Sequence, residues 1–305
     1  MADIYRRSLL LVIVLLTACA SQPPSVIVPV SEAVPVIPVT PGPQHREPKI
    51  ALVLGGGAAR GFAQVGVIKG LEAQGIKPDI IVGTSAGSLV GALYAGGENA
   101  NDLQTVALQI QQEEISDWAL PNRGVFKGEA LQKFVNAAIN QRPLEKLNKT
   151  FAVVATDLHS GEMVVFRTGD TGMAVRASSA VPGVFQPVSI NGHEYVDGGL
   201  TSPVPVRVAR SMGADFIIAV DVSTQPQYGK TKSSIDVVLQ TFAIMEQGLA
   251  RNELPEANVV VRPHLEFFSR TDFQDRKIAI QAGEQAAAAA LTEIKIKLAE
   301  LREKL

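Results

Sequence analysis

Short apolar runs alternate with longer segments of mixed polarity over most of the chain from residue 50 onward. The runs are rich in Val and Ile, which favours buried β-strands, and the segments between them are long enough for helices. Regular alternation of this kind predicts an α/β domain with a largely parallel sheet. The predicted strands are Ile50–Leu54, Ile80–Val82, Phe151–Thr156, Met163–Phe166, Phe216–Val220 and Val259–Val261, and predicted helices at Arg60–Gln74 and Ser85–Ala95 follow the first two.

Two more helices are predicted near the C-terminal end. The spacing of apolar residues from Ile235 to Asn252 is that of an amphipathic helix. The segment from Phe273 to the last residue is rich in alanine and ends in mixed charges, which predicts a long packing helix.

The first 19 residues have the pattern of a targeting segment. Two arginines precede an apolar run that is too short to span a bilayer as a mature helix. The run ends in residues 16–19 (LTAC), which resemble the lipobox of bacterial lipoproteins and imply cleavage before Cys19 and acylation of that residue. An ordinary signal peptide or amphipathic anchor is the alternative. Cys19 is the one cysteine of the chain, so acylation would leave no thiol for a disulfide.

Residues 20–49 predict a flexible tether. Eight of the chain's eighteen prolines fall in this segment. Proline fixes φ and removes a backbone donor, so the segment should be extended and should build no core. The sequence thus divides into a signal segment (1–19), a Pro-rich tether (20–49) and one domain (50–305) long enough for a sizeable core.

The charge balance argues against nucleic acid as a partner. The formal net charge is −2, and no Lys/Arg cluster is interleaved with aromatic residues. No second long apolar run follows the first, so the sequence predicts no membrane span after residue 19. No segment indicates a particular protein partner.

The pentapeptide Gly83-Thr84-Ser85-Ala86-Gly87 carries the strongest chemical signal. It fits the G-x-S-x-G pattern of a nucleophile elbow and lies between a predicted strand and a predicted helix. Such a turn is too tight for side chains at Gly83 and Gly87, and it sets the Ser85 hydroxyl at a helix N-terminus. The pattern predicts a serine nucleophile.

Residues 55–61 (GGGAARG) follow the first predicted strand and leave backbone N–H groups open to an anion. A P-loop is excluded because Phe62 stands where its lysine should be. A dinucleotide fingerprint fits only as Gly56-x-Ala58-x-x-Gly61 and lacks the acidic residue after the second strand. An oxyanion hole is favoured, because hydrolases with an elbow serine take one donor after the nucleophile and another from a glycine-rich loop.

A proton acceptor for Ser85 is less obvious from the sequence. The segment Asp197-Gly198-Gly199 ends a short predicted strand and leaves space around the carboxylate, although a plain Asp-Gly β-turn is the alternative. None of the histidines has an evident partner arrangement, and each has the setting of an ordinary surface or turn residue. The four are His45, His159, His193 and His264.

The ordered set of motifs resembles the patatin-like phospholipase family. The resemblance runs from about Ile50 to at least Asp221 and implies a three-layer α/β/α fold with a mostly parallel central sheet. The residues that carry it are 55–61, 83–87, 177–185 (ASSAVPGVF), 197–199 and 202–205 (SPVP).

The resemblance also implies the site. It assigns a Ser–Asp dyad to Ser85 and Asp197, with no metal and no cofactor. Ala58 departs from the family pattern, because many members have a fourth glycine there. Arg60 is placed close to the oxyanion hole, with a structural ion pair as its alternative role. The implied oxyanion-hole residues are Gly55, Gly56, Gly57 and Arg60, and the motif-supporting glycines are Gly61, Gly83, Gly87, Gly198 and Gly199.

The predicted function is hydrolysis of acyl esters of the phospholipase A or lysophospholipase type. Burial would raise the pKa of Asp197 above its ordinary value of ~3.9 and make it a better base. An envelope lipoprotein scaffold with a vestigial site, and an acyltransferase or thioesterase that uses the same serine, stay open. The predicted location is the bacterial cell envelope, with Cys19 anchored in the outer membrane and the domain facing the periplasm.

Overall fold

A computed structural model describes residues 46–115, 117, 123–223, 225–228, 231–265 and 275–305. The predicted signal segment, Cys19, His45, Phe273 and nearly all of the predicted tether lie outside the described residues. The described residues belong to one compact unit. The end of the predicted tether is part of that unit, because the Arg46 guanidinium and the Lys49 backbone N–H donate to the Asp215 carboxylate over 2.6 and 2.8 Å.

The described strands form one mixed sheet. Five of them run parallel in the order β3-β2-β1-β7-β8, and β4, β5 and β6 join the β3 end in antiparallel pairs. The predicted, mostly parallel central sheet is therefore confirmed. The strands are β1 (Ile50–Leu54), β2 (Ile80–Thr84), β3 (Thr150–Asp157), β4 (Met163–Phe166), β5 (Val188–Ile190), β6 (His193–Asp197), β7 (Phe216–Val220) and β8 (Val259–Val261).

Helices cover both faces of this sheet. Side chains of α1, α2, α3 and α9 share a core with alternate residues of β1, and α7 and α8 share a second core with the other residues of β1. This gives the three layers that were predicted. The helices are α1 (Phe62–Glu72), α2 (Ala86–Gly96), α3 (Ala100–Gln109), α4 (Gln112–Ile115), α5 (Glu129–Ala138), α6 (Thr171–Ser178), α7 (Val206–Ser211), α8 (Ser234–Glu253) and α9 (Arg276–Arg302).

The helix after the glycine-rich loop begins later than predicted. It starts at Phe62 rather than at Arg60, because residues Ala58–Gly61 form a separate 3₁₀ turn. The Arg60 side chain consequently belongs to the loop and not to the first turn of α1.

One edge of β3 pairs with two strands that are far apart in the sequence. Val154 of β3 pairs with Thr84 of β2, and the next residue, Ala155, pairs with Asp197 of β6. The opposite edge of both β3 residues is occupied by β4. Strands β2 and β6 therefore follow one another along the same edge of β3 in opposite directions, and their C-terminal ends meet.

Helices α1 and α9 pack closely through glycines. A Cβ atom at Gly66 of α1 would lie 1.9 Å from the Ile280 carbonyl oxygen, and one at Gly283 of α9 would lie 1.9 Å from the Ala63 carbonyl oxygen. Neither position has space for a side chain, so the two glycines set the distance between the helices.

Helix α8 has a buried face and an exposed apolar face. Phe242 and Glu246 are buried on one side, whereas Val237 and Ile244 are 51% and 55% exposed. Within the described part of the chain, no helix combines the length and the apolar character that a bilayer crossing requires.

Candidate active site

Ser85 lies at the sharp turn between β2 and α2. Its backbone has φ 53° and ψ −123°, a conformation that non-glycine residues rarely adopt. A Cβ at Gly83 would lie 2.5 Å from the Gly87 carbonyl oxygen, and one at Gly87 would lie 2.0 Å from the Leu54 carbonyl oxygen. Only glycine at both positions lets β1, β2 and α2 approach closely enough to hold Ser85 in this strained geometry.

Asp197 lies at the C-terminal end of β6, where β6 meets β2. Its Oδ2 accepts a hydrogen bond of 2.7 Å from Ser85 Oγ, and its Oδ1 accepts one of 2.7 Å from the Gly199 backbone N–H. The carboxylate is almost fully buried, with 1% of the residue exposed. A Cβ at Gly198 would lie 2.2 Å from the Val154 carbonyl oxygen, so this glycine permits the close approach to β3.

The glycine-rich loop runs beside Ser85 but does not offer all of its N–H groups. The backbone N–H of Gly55 donates to the Val220 carbonyl over 3.1 Å, and that of Gly56 donates to the Pro203 carbonyl over 2.9 Å. Among the hydrogen bonds of the described residues, the N–H of Gly57 takes part in none. The N–H of Ala86, at the first position of α2, is one of those that a helix start leaves without an intrahelical partner.

Two other residues of the loop differ in environment. Ala58 has φ 52° and is exposed, so its methyl group points away from the packed loop. A Cβ at Gly61 would lie 2.9 Å from the Ala86 Cβ, which explains a small residue at the contact between the loop and α2. The extra methyl of Ala58 is therefore accommodated at the surface.

Arg60 is buried, with 2% of the residue exposed. Its guanidinium donates to the Ser223 carbonyl over 2.9 Å and to the Leu265 carbonyl over 3.0 Å. These bonds link the glycine-rich loop to the segments that follow β7 and β8, which is a structural role of the kind left open by the sequence. A contribution of Arg60 to an oxyanion hole stays a prediction.

Ser178 is a site residue whose role sequence reasoning missed. Its Oγ accepts a 2.8 Å hydrogen bond from the backbone N–H of Ser85 and donates to the carbonyl of Val154. The family motif at residues 177–185 includes this serine, but nothing in the sequence indicates that it bridges the elbow and β3.

Glu246 of α8 was also missed. The carboxyl oxygen Oε1 of this buried residue lies 2.4 Å from the position that a Cβ would take at Gly199 and 3.6 Å from the corresponding position at Gly56. The carboxyl group therefore lies between the segment Asp197-Gly198-Gly199 and the glycine-rich loop. A single glutamate in an amphipathic helix carries no sequence signal for this placement.

The neighbours given for the described histidines are residues other than Ser85 and Asp197. His193 Nδ1 is 3.0 Å from Asp157 Oδ2, and His159 Nε2 is 3.3 Å from Glu194 Oε2. His264 lines a cavity of about 240 Å³ between α8 and the ends of β7 and β8, together with Arg60. In the described residues, no group of three or more His, Cys, Asp or Glu side chains could hold a metal ion.

Comparison with known proteins identifies the family. The sequence model described as "Patatin-like phospholipase" matches residues 52–210, about half of the chain, and this match includes the glycine-rich loop, Ser85 and Asp197. The chain belongs to the patatin-like phospholipase family, and the resemblance seen in its motifs is confirmed.

Two curated relatives agree with this assignment, and one solved structure shares the fold. Patatin-like phospholipase domain-containing protein 6 of Mus musculus is 36% identical over an alignment of 186 residues, and the match covers 58% of this chain and 14% of that protein. An uncharacterised NTE family protein of Mycobacterium bovis is 34% identical over 179 residues, 58% of this chain and 49% of the relative. The chain thus spans less than half the length of these relatives. The crystal structure of VipD from Legionella pneumophila matches with TM-score 0.57 at 14% identity over 81% of this chain and 67% of VipD, which supports the fold.

Proposed function

We propose that this chain hydrolyses acyl-ester lipids, with Ser85 as the nucleophile and Asp197 as the general base. The observation that carries the proposal is the 2.7 Å hydrogen bond from Ser85 Oγ to the buried Asp197 Oδ2. A serine hydroxyl that donates to a base is activated for attack on a carbonyl carbon. The strained backbone of Ser85 supports the same role, because such strain persists where the surrounding fold holds a functional residue in place.

The reaction would proceed through an acyl-enzyme. Ser85 Oγ attacks the ester carbonyl carbon while its proton passes to Asp197, and the oxyanion is bound by the N–H groups of Gly57 and Ala86. Each such donor lowers the barrier by ~2.7–4 kcal/mol. Collapse breaks the C–O bond and Asp197 returns the proton to the leaving alcohol. A water molecule that gives its proton to Asp197 then releases the fatty acid, and Ser85 regains its proton.

Lipid esters are the favoured substrate class for two reasons. The family and the mouse relative are described as phospholipases. In addition, five of the nine exposed large apolar side chains of the described residues lie on α8, the helix whose buried face reaches the site. They are Ile235, Val237, Val238, Ile244 and Met245.

A fluorophosphonate probe tests the nucleophile directly. We expect the probe to label Ser85, as read by mass spectrometry of the labelled peptide, and Ser85→Ala to abolish both labelling and turnover of a short-chain oxygen ester. Labelling of another serine, or turnover by Ser85→Ala, would contradict the assignment. Faster turnover of a thioester of the same acyl chain would favour the thioesterase alternative.

The substrate class is tested by changing the exposed face of α8. Ile244→Asp should lower hydrolysis of phospholipid in vesicles and leave turnover of a soluble short-chain ester unchanged. Ile296→Asp on α9, where the side chain is 54% exposed, is the matched control. Equal loss with both variants would argue against an apolar contact through α8.

Envelope anchoring is part of the proposal and is supported by the lipobox-like residues 16–19 and the Pro-rich segment after them. Acylation with more than one chain holds a protein stably at a membrane. Cys19→Ser should move the protein from the membrane fraction to the soluble fraction, and unchanged fractionation would argue against the anchor.

A further inference from the structure

Ser202 bonds through its backbone to the segments of both proposed catalytic residues. The Ser202 N–H donates to the Gly198 carbonyl over 2.9 Å, and Gly198 directly follows Asp197. The Ser202 carbonyl accepts a 2.9 Å hydrogen bond from Thr84 Oγ1, and Thr84 directly precedes Ser85. Ser202 and Thr84 are both buried, so water does not compete for these bonds. Ser202 therefore connects the residue after the proposed base to the residue before the proposed nucleophile.

The next residue, Pro203, bonds to the third segment of the site. Its carbonyl accepts a 2.9 Å hydrogen bond from the Gly56 N–H of the glycine-rich loop. This bond fixes the loop one residue before Gly57, whose N–H is a proposed oxyanion donor. Ser202 and Pro203, which are consecutive in the chain, thus bond to the elbow, to the Asp197 segment and to the glycine-rich loop.

The segment that contains these two residues has few backbone donors of its own. Residues 202–205 (SPVP) include two prolines, which have no N–H group. All four residues are buried, and a buried backbone group without a partner is costly. The position of such a segment depends strongly on bonds from neighbouring elements.

Glu253 of α8 binds this segment at one end and the start of α7 at the other. Its Oε2 accepts a 2.7 Å hydrogen bond from Ser202 Oγ, and its Oε1 accepts one of 2.9 Å from the Arg207 backbone N–H. Arg207 lies in the first turn of α7, two residues after the segment ends. Glu253 is only 6% exposed, and burial of a carboxyl group is unfavourable unless it is hydrogen-bonded. The two bonds together hold residues 202–205 against α8.

We propose that Glu253 is a positioning residue that holds residues 202–205 in place and thereby sets the relative positions of Ser85, Asp197 and the Gly57 N–H. This inference rests on the proposed function, and Glu253 acts through Ser202. Without its bonds, the three segments of the site would shift relative to one another. A displacement of about 1 Å in an active site can lower the rate on the order of 10²-fold.

The loss should appear in kcat and leave KM nearly unchanged. Alignment of the nucleophile with the oxyanion donor stabilises the transition state, whereas it contributes little to binding of a small soluble ester. A change in stability alone would lower the amount of folded protein and would leave the kcat of the folded molecules as it is. The division between kcat and KM therefore distinguishes positioning from a purely structural role.

Two substitutions of Glu253 test this role with a soluble short-chain ester. Glu253→Met keeps a similar volume and removes both acceptors, so kcat should fall about 10²-fold. Glu253→Gln keeps an acceptor for the Arg207 N–H, and its amide can donate to Ser202 Oγ, so most of the kcat should be restored. Asn258→Ala is the matched control. It removes the acceptor of the Ile217 N–H at the opposite end of the sheet and should leave the kcat of the folded protein unchanged.

A double-variant cycle tests whether Glu253 acts through Ser202. If it does, Glu253→Met/Ser202→Ala should have about the kcat of Glu253→Met alone, whereas independent effects would multiply. Multiplied effects, wild-type kcat in Glu253→Met, no restoration by Glu253→Gln, or an equal loss in Asn258→Ala would each overturn the inference. If Glu253→Met does not fold, Ser202→Ala, which removes only a hydroxyl group, decides alone, and wild-type kcat in that variant would overturn it.

Hydrogen exchange gives a second readout that does not depend on turnover. The peptides that contain the N–H groups of Gly56 and Ser202 should exchange faster in Glu253→Met than in the wild type, and exchange in α9 should stay the same. Unchanged exchange at Gly56 and Ser202 would overturn the inference. Absence of labelling and turnover in the wild type would instead reject the proposed function, while the exchange result would still decide whether Glu253 holds the segment.

Discussion

The side chain of Ser178 holds the backbone of Ser85: Ser178 Oγ accepts the Ser85 N–H over 2.8 Å and donates its own proton to the Val154 carbonyl of β3. Through this bridge, the strained elbow is attached to the strand that also pairs with the Asp197 end of β6. The two proposed catalytic residues are thus fixed to one strand by different means, Ser85 through a side chain and Asp197 through the sheet.

Replacing Ser178 by alanine should lower both stability and activity. The Ser85 N–H and the Val154 carbonyl would lose a partner in a buried site, at a cost of about 1–3 kcal/mol in the free energy of unfolding. Urea denaturation measures that cost, and ester turnover measures the effect on Ser85. Ser211→Ala is the control, because Ser211 Oγ bonds a carbonyl of its own helix at the surface and its removal should change stability by less than ~0.5 kcal/mol. Equal stability of the two variants would contradict the bridge.

Asp197→Asn should lose most of the ester turnover, whereas His193→Ala should keep it. Loss of the base should reduce kcat by a factor on the order of 10⁴, the size seen when the carboxylate of a serine-protease triad is changed to its amide. The His193 ring is directed at Asp157 over 3.0 Å and is largely exposed, so its removal should leave turnover intact. Loss of activity in His193→Ala would replace the proposed dyad with a triad.

Two glycine-to-alanine changes should shift stability in opposite directions. Gly283→Ala would place a Cβ 1.9 Å from the Ala63 carbonyl oxygen and force α9 away from α1, at a cost of roughly 1–3 kcal/mol. Gly248→Ala in α8 meets no atom within 4 Å and should stabilise the protein by about 0.5–1 kcal/mol, because alanine loses less backbone entropy in a helix. Thermal unfolding of both variants checks the signs. A stabilising Gly283→Ala would show that the helices tolerate wider spacing.

Asp215 should make stability depend on pH in the acid range. Hydrogen bonds from the Arg46 guanidinium and the Lys49 backbone N–H lower the pKa of Asp215 to about 2. Burial acts in the other direction, because it favours the neutral carboxyl group, but its effect is smaller. Because the pKa is lower in the folded chain than the unfolded value of ~3.9, the ionised carboxylate stabilises the fold above that value, and the contribution is lost as the pH falls toward 2.

The variant Asp215→Asn isolates this contribution. The difference in unfolding free energy between wild type and Asp215→Asn should be constant above about pH 5 and should shrink as the pH approaches 2. Denaturation at a series of pH values measures it. A difference that stays constant down to pH 2 would mean that Asp215 is not held in its ionised form by Arg46.

The sequence predicted those parts of the protein that depend on local pattern. Apolar runs gave the core strands to within a few residues, since burial on both faces of a parallel strand requires continuous Val and Ile. The motif from Gly83 to Gly87 predicted the turn at Ser85, because the close approach of three backbones excludes side chains at both glycines. The helix after the glycine-rich loop was placed two residues early because a 3₁₀ turn has no distinct sequence signature.

Tertiary structure decided which residues distant in the sequence come into contact, because a local sequence pattern does not encode such contacts. That β2 and β6 share an edge of β3 follows from strand pairing, and this pairing alone carries Asp197 to Ser85 across 112 positions of sequence. The places of Ser178 and Glu246 depend on how α6 and α8 pack, and a lone serine or glutamate in a helix does not reveal its distant neighbours. Sequence alone thus determined which side chains are reactive and where the strained turn lies. Long-range packing decided which of those side chains meet.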